Sequence, residues 1–564
     1  MNRKNRNWKL KRFSMVFLFL VRFPLMAQFM EPLFIPDTLE GPIINLEIKA
    51  SQKSFFSGVS TQTKAFNNQN FLGPTLIFRK GWNIQATVNN NLADTTTLHW
   101  HGLHLPAHAD GGPHSPILPG GQWNAHFSCM DKAGTYWYHP HFHGKTGEHT
   151  LQGAAGMILV KDAEEASLVL PRSYGKDDFP LVIQSLQFDP VGKILPRGFQ
   201  DSILLINGTR NPVLNVPGQM VRFRLLNASN ARNFNIGFSN NQPFFLIGND
   251  AGLLGKPLTK TRIKLAPGER VELVFDFQNF GGQSLFLKSF GSEILSGVQG
   301  GPIGTLPPGT PPMNSPLNGS DFDLIRFSVR NQIPNPVTQL PDSLVNQNRI
   351  DESQSEGSRN LVFSSVTQGS WAGPFLLNDS SFRMERIDFE IPVNRTEIWN
   401  IHNQTPVAHP FHMHGFSFYV LDRYGAPIEP DEAGRKDVVL VNPNEQIRII
   451  TRFSDFADAS APYMFHCHLL SHEDDGMMGQ FVVVPLTSKS VETHQIEVNS
   501  NPNPFSNQLK LTFTAKQEWE VFDFSGKKWD TGLGTKILKT SNWPSGIYIL
   551  KSGENFQKLM KVDD

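Results

Sequence analysis

Histidines are the residues whose type and spacing most directly indicate chemistry in this sequence. The chain has 18 histidines. Ten lie between His99 and His149, seven lie between His402 and His472, and the long segment between the two groups has none. Solvated surface histidines would be scattered, so two dense groups far apart in sequence indicate one site assembled from both. Imidazole binds copper, zinc, iron and nickel, so the site could hold any of these metals.

Four His-x-His pairs lie within the two groups. Alternate residues of a β-strand point to the same face, so each pair offers two imidazoles in one direction. One such pair is weak evidence for a metal site, but four pairs from two distant groups are hard to explain by chance. The pairs are His99/His101, His139/His141, His412/His414 and His466/His468.

A cysteine narrows the choice of metal. Cys467 lies between the two histidines of the last pair, so on a strand it faces the opposite side. A cysteine, two histidines and a weak methionine form the ligand set of a blue copper electron-transfer site, and His409, His472 and Met477 could complete it. The two metal sites on these faces would lie on the order of 10 Å apart, and an electron could pass between them through covalent bonds. A disulfide with Cys129 is the disfavoured alternative.

The elements that position these residues are predicted to be β-strands. Short alternating or apolar runs, such as Trp82–Val88 and Arg270–Asp276, are separated by glycine, proline and asparagine, which is typical of β-sandwiches. At about 100–200 residues per domain, 564 residues accommodate three or four domains. We predict an all-β chain with sandwiches over residues 28–165, 178–299 and 320–486, and a smaller β-sandwich over residues 490–564.

The two ends of the chain indicate export. Residues 1–27 have a basic start followed by an apolar run, as in a cleaved signal peptide. A membrane anchor is the alternative, but Arg22 interrupts a run that would need about 20 apolar residues to span.

The composition excludes two classes of protein. Lys+Arg and Asp+Glu both number 51, so the basic excess of a nucleic-acid-binding protein is missing. With two cysteines, a disulfide-rich scaffold is also excluded.

The histidine motifs resemble those of the multicopper oxidases, with three-domain bacterial laccases and cuprous oxidases the most similar. The resemblance spans roughly residues 40–486 and implies three cupredoxin-like Greek-key sandwiches. It rests on the motifs His99–Gly102, Gly134–His141, His409–Gly415 and His466–Met477. The C-terminal segments Asn501–Phe505, Phe522–Lys527 and Gly546–Leu550 resemble the sorting domain of the type IX secretion system. A small β-sandwich binding module is the alternative interpretation of that tail.

The resemblance also implies a role for each ligand in a four-copper enzyme. His409, Cys467, His472 and Met477 would bind the type 1 copper, and His99 and His412 the type 2 copper. The type 3 pair would be bound by His101, His139, His141, His414, His466 and His468. The other eight histidines, among them His104, His108, His114, His126, His143 and His149, are interpreted as surface or supporting residues. The middle sandwich would then be a spacer.

Reduction of dioxygen to water needs protons as well as electrons. Asp110 and Glu473 match the acids that relay protons in the family, although each could instead only orient a ligand histidine. A Met-rich insert, which would favour Cu(I) as substrate, is missing. An acidic residue that often serves substrate, four positions before the first type 1 histidine, is replaced by Thr405.

These departures favour a secreted, laccase-like oxidase of phenols or amines. Its expected partners are dioxygen, a small-molecule or metal-ion reductant and the secretion machinery, and its location is outside the cell or on its surface, reached through the periplasm. The alternatives are a cuprous or metal-ion oxidase for copper tolerance, a copper nitrite reductase, a non-catalytic copper-binding surface protein and a zinc hydrolase. The last would leave Cys467 without a role.

Overall fold

The computed structural model describes residues 29–304, 314–486, 498–513, 518–552 and 555–563. The predicted signal peptide, residues 1–27, lies outside the described residues. The chain divides into two units, one ending at Val484 and the other beginning at Pro485. Both are built from β-strands, so the prediction of an all-β fold is confirmed. None of the described helices is long and apolar enough to cross a membrane.

The first sandwich is formed by two sheets that enclose an apolar core. Along Ile43–Phe56, the buried side chains Ile44, Leu46 and Ile48 alternate with more exposed ones, which is why this segment forms a strand with one face on the core. One sheet contains, in order, Thr38–Glu40, Thr75–Arg79, Gly156–Lys161, Gly134–His139 and His99–His101. The other contains Val59–Phe66, Ile43–Phe56, Asn83–Asn91 and Gln122–Ser128.

The middle sandwich is larger than the sequence predicted. Asp321–Arg330, which was predicted to open the third domain, pairs with Pro212–Pro217 and Ser284–Phe290 and so completes a sheet of the middle sandwich. That sheet runs Glu31–Pro32, Pro212–Pro217, Asp321–Arg330, Ser284–Phe290, Phe234–Phe238 and Ile263–Leu265. The facing sheet runs Thr209–Arg210, Ile203–Ile206, Asp178–Leu186, Met220–Asn227, Arg270–Asp276, Phe244–Asn249 and Gly252–Lys260.

The third sandwich holds the second group of histidines. Its inner faces pack aromatic side chains such as Trp399, Phe411 and Phe481 around Cys467. One sheet runs Phe375–Leu377, Gly357–Ser365, Thr396–Asn403, Gln446–Arg452, Phe418–Arg423 and Ala426–Pro427. The other runs Phe389–Pro392, Met478–Val484, Asp458–Cys467, His409–Met413 and Val438–Val441.

Helical structure is sparse, and two short helices lie beside the histidine motifs. Thr146–Leu151 follows the first motif group, and Leu470–Asp474 follows Cys467. The carboxylate of Asp474 accepts hydrogen bonds from the backbone N–H groups of Thr146 (2.9 Å) and Gly147 (3.0 Å), which ties the third sandwich to the first. Among the described residues, the remaining helical segments are the α-helix Ala163–Ala166 and the 3-10 turns Ala107–Ala109, Gly291–Glu293, Glu352–Gln354 and Pro430–Glu432.

The C-terminal unit has a small apolar core of its own, which includes Trp519, Trp543 and Tyr548. One sheet contains Val498–Asn501, Gln508–Phe513 and Lys536–Lys539. The other contains Lys528–Leu533, Glu518–Asp523, Gly546–Ser552 and Asn555–Lys561.

Candidate metal centre

Strand pairing in the first sandwich brings its histidines together. His99–His101 pairs antiparallel with Gly134–His139, and His99 lies directly opposite His139. Trp137 stacks on the His139 ring at 4.1 Å between centroids and limits its rotation. His141 follows two residues after the strand ends, and all four imidazoles of this group are buried.

The same arrangement recurs in the third sandwich. His409–Met413 pairs antiparallel with the end of Asp458–Cys467, so that His412 lies opposite His466 and Phe411 lies opposite Cys467. Alternation along the second strand places Cys467 in the apolar core of the sandwich, whereas His466 faces the histidines of the first sandwich. The two cysteines are both free, so Cys467 is not bridged to Cys129.

The eight paired histidines converge in three groups at the junction of the two sandwiches, and two of the groups share His101. His139 Nε2 lies 3.4 Å from His101 Nδ1, and His466 Nε2 lies 3.1 Å from His141 Nε2 and 3.2 Å from His414 Nε2. Within each group the ligand atoms lie within 4.8 Å of one another. The groups are His99/His101/His412, His101/His139/His468 and His141/His414/His466.

The hydrogen bonds of these imidazoles fit metal ligands. His99 Nδ1 donates to the Asp110 carbonyl (3.0 Å) and His412 Nδ1 donates to the Asp437 carbonyl (2.8 Å), which leaves both Nε2 atoms buried without a partner. His101 donates from Nε2 to the Asp437 carboxylate at 3.2 Å, so its Nδ1 lone pair faces the site. Converging lone pairs repel one another unless a cation lies between them, so the donor set fits bound metal ions.

Burial keeps most of these imidazoles neutral. It lowers the pKa of His466 and His472 to about 3, and lowers the pKa of the other affected ligands well below the usual histidine range. These are His101, His139, His141, His409, His412, His414 and His468. Neutral imidazoles at physiological pH present lone pairs to a metal without first losing a proton.

A second cluster surrounds Cys467. The sulfur lies 3.3 Å from His409 Nδ1 and 3.8 Å from His472 Nδ1, and those two nitrogens are 3.3 Å apart. Burial raises the pKa of the Cys467 thiol, so a cation is needed to hold the thiolate form that serves as ligand. Met477 is fully buried beside this group, and its backbone carbonyl accepts a hydrogen bond from Cys467 N at 3.2 Å.

Thr405 supports this cluster instead of facing solvent. Its hydroxyl lies 2.9 Å from His409 Nε2, and it is fully buried. With Nδ1 directed at Cys467, the Nε2–H of His409 donates to the threonine oxygen. The hydroxyl in turn contacts Asn403 Oδ1 (2.8 Å), so a bond network fixes the orientation of the His409 ring.

Both candidate proton donors lie beside the paired histidines. Asp110 Oδ2 accepts a hydrogen bond from His414 Nδ1 at 2.8 Å, while its Oδ1 is buried without a partner. Glu473 lies 3.3 Å from His141 Nδ1 and 3.4 Å from His466 Nδ1. Burial, with Asp474 beside it, raises the pKa of Glu473 well above its usual range, which favours its protonated form.

The remaining histidines divide into buried and exposed residues. His149 is fully buried, 3.0 Å from the Thr96 hydroxyl, and His104 bonds to the Asp455 carboxylate at 2.7 Å. The exposed ones are His108, His114, His126 and His143, whereas His402 is half-buried; His494 lies outside the described residues. Sequence reasoning missed Asp437, because no motif marks it, although it lies within the second histidine group between His414 and His466.

Family models and relatives agree with this geometry. Multicopper oxidase family models match residues 48–165 and 352–487. The multicopper oxidase Mco of Staphylococcus haemolyticus is 32% identical over 449 residues, which is 78% of this chain and 88% of the relative. This chain belongs to the multicopper oxidase family. It is accordingly an oxidoreductase with copper as cofactor and oxygen as electron acceptor, and the predicted cofactor is confirmed.

Solved structures place the fold within the same family. A laccase-like multicopper oxidase, CueO from Ochrobactrum, has a TM-score of 0.71 at 32% identity and covers 80% of this chain and 100% of its own. A multicopper oxidase of Campylobacter jejuni described as a metallo-oxidase has a TM-score of 0.67 at 26% identity and covers 81% of this chain and 96% of its own. These similarities confirm the predicted cupredoxin-like sandwiches.

Two further matches bear on biology outside the copper site. The cell division protein FtsP of Xenorhabdus nematophila is 31% identical over 461 residues, which is 80% of this chain and 92% of that protein. Residues 499–562 match a secretion system C-terminal sorting domain, which confirms the interpretation of the tail and indicates export.

Proposed function

We propose that this protein is a secreted, laccase-like multicopper oxidase of phenols or aromatic amines. His409, Cys467, His472 and Met477 bind the type 1 copper, and His99 and His412 the type 2 copper. The type 3 pair is bound by His101, His139 and His468 on one side and by His141, His414 and His466 on the other. Copper supplies one-electron oxidation at the first site and four-electron reduction of dioxygen to water at the other sites.

The observation that carries the proposal is the position of Cys467 between two histidines of the other cluster. Its sulfur lies within 3.3 Å of His409, while His466 lies 3.1 Å from His141 of the first sandwich. The backbone and side chains of three consecutive residues therefore join a one-electron site to the remaining ligands by covalent bonds. A hydrolytic zinc site or a storage protein has no need for this connection.

The surroundings of His472 favour an aromatic reductant. A shallow cleft reaches the His472 ring and is lined mainly by apolar side chains, including Phe199, Trp371, Val407 and Leu469. The described lining residues include no methionine or carboxylate, which are the side chains that would bind Cu(I) or Fe(II). A planar, uncharged phenol or amine fits such a surface.

Asp110 and Glu473 are the proposed proton donors. Each is buried and lies within 3.4 Å of at least one ligand imidazole. Burial favours the protonated form of Glu473, and one carboxylate oxygen of Asp110 is buried without a hydrogen-bond partner. A positioned acid of this kind delivers protons to a buried centre that water reaches poorly.

A metal-ion oxidase remains the second candidate, because three methionines gather in the third sandwich. Met384, Met464 and Met478 pack with Phe382. Thioethers select Cu(I), but none of these methionines lines the cleft at His472. A reductant bound at these three methionines would lack the short path through His472 to Cys467.

The test is dioxygen consumption by the copper-loaded protein with phenols, aromatic amines, Cu(I) and Fe(II) as competing reductants. We expect an intense blue colour and preferred turnover of the phenols or amines. Trp371→Ala should raise KM for these substrates and leave the colour unchanged. Trp82→Ala is the matched control, since Trp82 is also half-buried but lies on the first sandwich. Preferred turnover of Cu(I) by the wild-type protein, together with an unchanged KM for phenols and amines in Trp371→Ala, would instead establish the metal-ion oxidase.

The proposed location outside the cell rests on the C-terminal unit. This unit has its own core and begins at Pro485, after the last strand of the third sandwich. In the native host, deletion of residues 490–564 should leave the blue oxidase in the periplasm, whereas the full chain should be recovered outside the outer membrane. Equal recovery of both forms outside the cell would contradict a sorting role.

A further inference from the structure

One arginine of the histidine-free middle sandwich reaches the junction where the histidine groups meet. Arg270 is fully buried, and all three nitrogens of its guanidinium group make hydrogen bonds. Nε donates to the Thr135 carbonyl (3.1 Å), and Nη1 donates to Gly268 O (2.8 Å) and Asp437 Oδ1 (2.7 Å). Nη2 donates to Asp250 O (3.0 Å) and to Asp437 Oδ2. One side chain thus contacts all three sandwiches.

Asp437, the acid paired with Arg270, accepts hydrogen bonds from two ligand histidines. Asp437 Oδ1 accepts a hydrogen bond from His101 Nε2 at 3.2 Å, and the Asp437 carbonyl accepts one from His412 Nδ1 at 2.8 Å. The His101 and His412 rings stack at 3.8 Å with an angle of 6° between their planes. The bidentate contact from Arg270 therefore fixes the group that orients both rings.

The turn that precedes Arg270 contacts a third ligand. Gly268 adopts a φ of +85°, and a Cβ atom added there would lie 2.9 Å from Cγ and Nδ1 of His468. Only glycine lets the turn approach the imidazole this closely. His468 belongs to the same group as His101 and His139, so the middle sandwich touches this group from two directions.

We propose that the middle sandwich positions the His101/His139/His468 copper site. Arg270 orients His101 through Asp437, and the turn at Gly268 packs directly against His468. The middle sandwich is then part of the oxygen-reducing centre and not a spacer. Arg270 and Gly268 are positioning residues, since neither forms a bond with the histidine nitrogens that face the metal site. The inference rests on the proposed function, because it presumes copper at these histidines.

Arg270→Lys tests the first contact. Lysine keeps the positive charge but loses the planar fork that binds both oxygens of Asp437. Supporting partners of this kind change metal affinity by about 10- to 100-fold, so we expect a loss of that size at this site. The near-ultraviolet absorption of the coupled copper pair should weaken and copper content should fall, while the blue absorption of the Cys467 site persists.

Arg222→Lys is the matched control. Arg222 is also fully buried in the middle sandwich and is paired with Glu272 and with Glu165 (2.9 Å), but it makes no hydrogen bond to Asp437. A purely structural role predicts that both substitutions lower stability and change the spectra alike. Positioning predicts that Arg270→Lys alone loses the near-ultraviolet band, and equal loss in both variants overturns the inference.

Gly268→Ala is the second variant, and it leaves every Arg270 donor in place. It should weaken the same absorption band through His468 if the inference holds, and an unchanged band with an unchanged copper affinity would refute the contact. Thermal unfolding of the copper-free variants separates misfolding from loss of the site. If the wild-type protein itself shows neither a blue nor a near-ultraviolet band, the proposed function fails, independently of the variants.

Discussion

Replacement of Asp110 by asparagine separates proton delivery from ligand orientation. Asp110 Oδ2 accepts a hydrogen bond from His414 Nδ1 at 2.8 Å, and Oδ1 is buried without a partner. The asparagine side chain has nearly the same shape, and its carbonyl oxygen can accept the bond from His414. The amide cannot pass a proton to the oxygen-reducing site. Copper binding should therefore survive while turnover falls.

The expected loss of kcat is about 10²- to 10⁴-fold, the usual contribution of a positioned general acid. At 1.36 kcal/mol for each tenfold change, this corresponds to about 3–5 kcal/mol of barrier. Anaerobic reduction of the blue copper by a phenol should keep its wild-type rate, because that step precedes proton delivery. Wild-type dioxygen turnover in Asp110→Asn, with full copper content, would show that Asp110 serves only to orient His414.

Three further outcomes are expected. Burial favours the neutral form of Glu272, yet two buried arginines hold its pKa at about 2. Its contribution to the free energy of unfolding is therefore complete above about pH 4.5 and is lost as the pH falls towards 2. That contribution is about 3 kcal/mol. The free energy of unfolding of Glu272→Gln should be lower at neutral pH and should fall less steeply as the pH is lowered through this range. Gly111→Ala should lower both thermal stability and turnover, because the added Cβ would lie 1.7 Å from the Leu98 carbonyl oxygen beside Asp110; Gly58→Ala, at a similar positive φ in open space, should cost much less. Removal of copper by a chelator should lower the melting temperature, since copper binds the folded protein more tightly than the unfolded chain, and an unchanged melting temperature would contradict binding at the buried histidines.

Spacing along the chain was enough to predict paired imidazoles on one face of a strand and Cys467 on the other, whereas the ligands of each copper were implied by the resemblance to the multicopper oxidases. In a strand the side-chain period is two, so His466 and His468 had to face away from Cys467 wherever the strand lay. The same local rule predicted the β-sandwich architecture from short alternating runs. The limits of the middle sandwich were less predictable, since the pairing partner of Asp321–Arg330 depends on which sheet edge is free.

Only the tertiary structure decided which imidazoles share a group and what holds them. The contact between His141 and His466 spans 325 residues, so no local pattern specifies it. The surroundings of Thr405 and the role of Arg270 were equally hidden in sequence, because a buried hydrogen-bond partner is chosen by proximity after folding. The sequence determined the ligand types, since metal preference is a property of the side chains, whereas orientation and protonation were decided by the packing of three sandwiches around one junction.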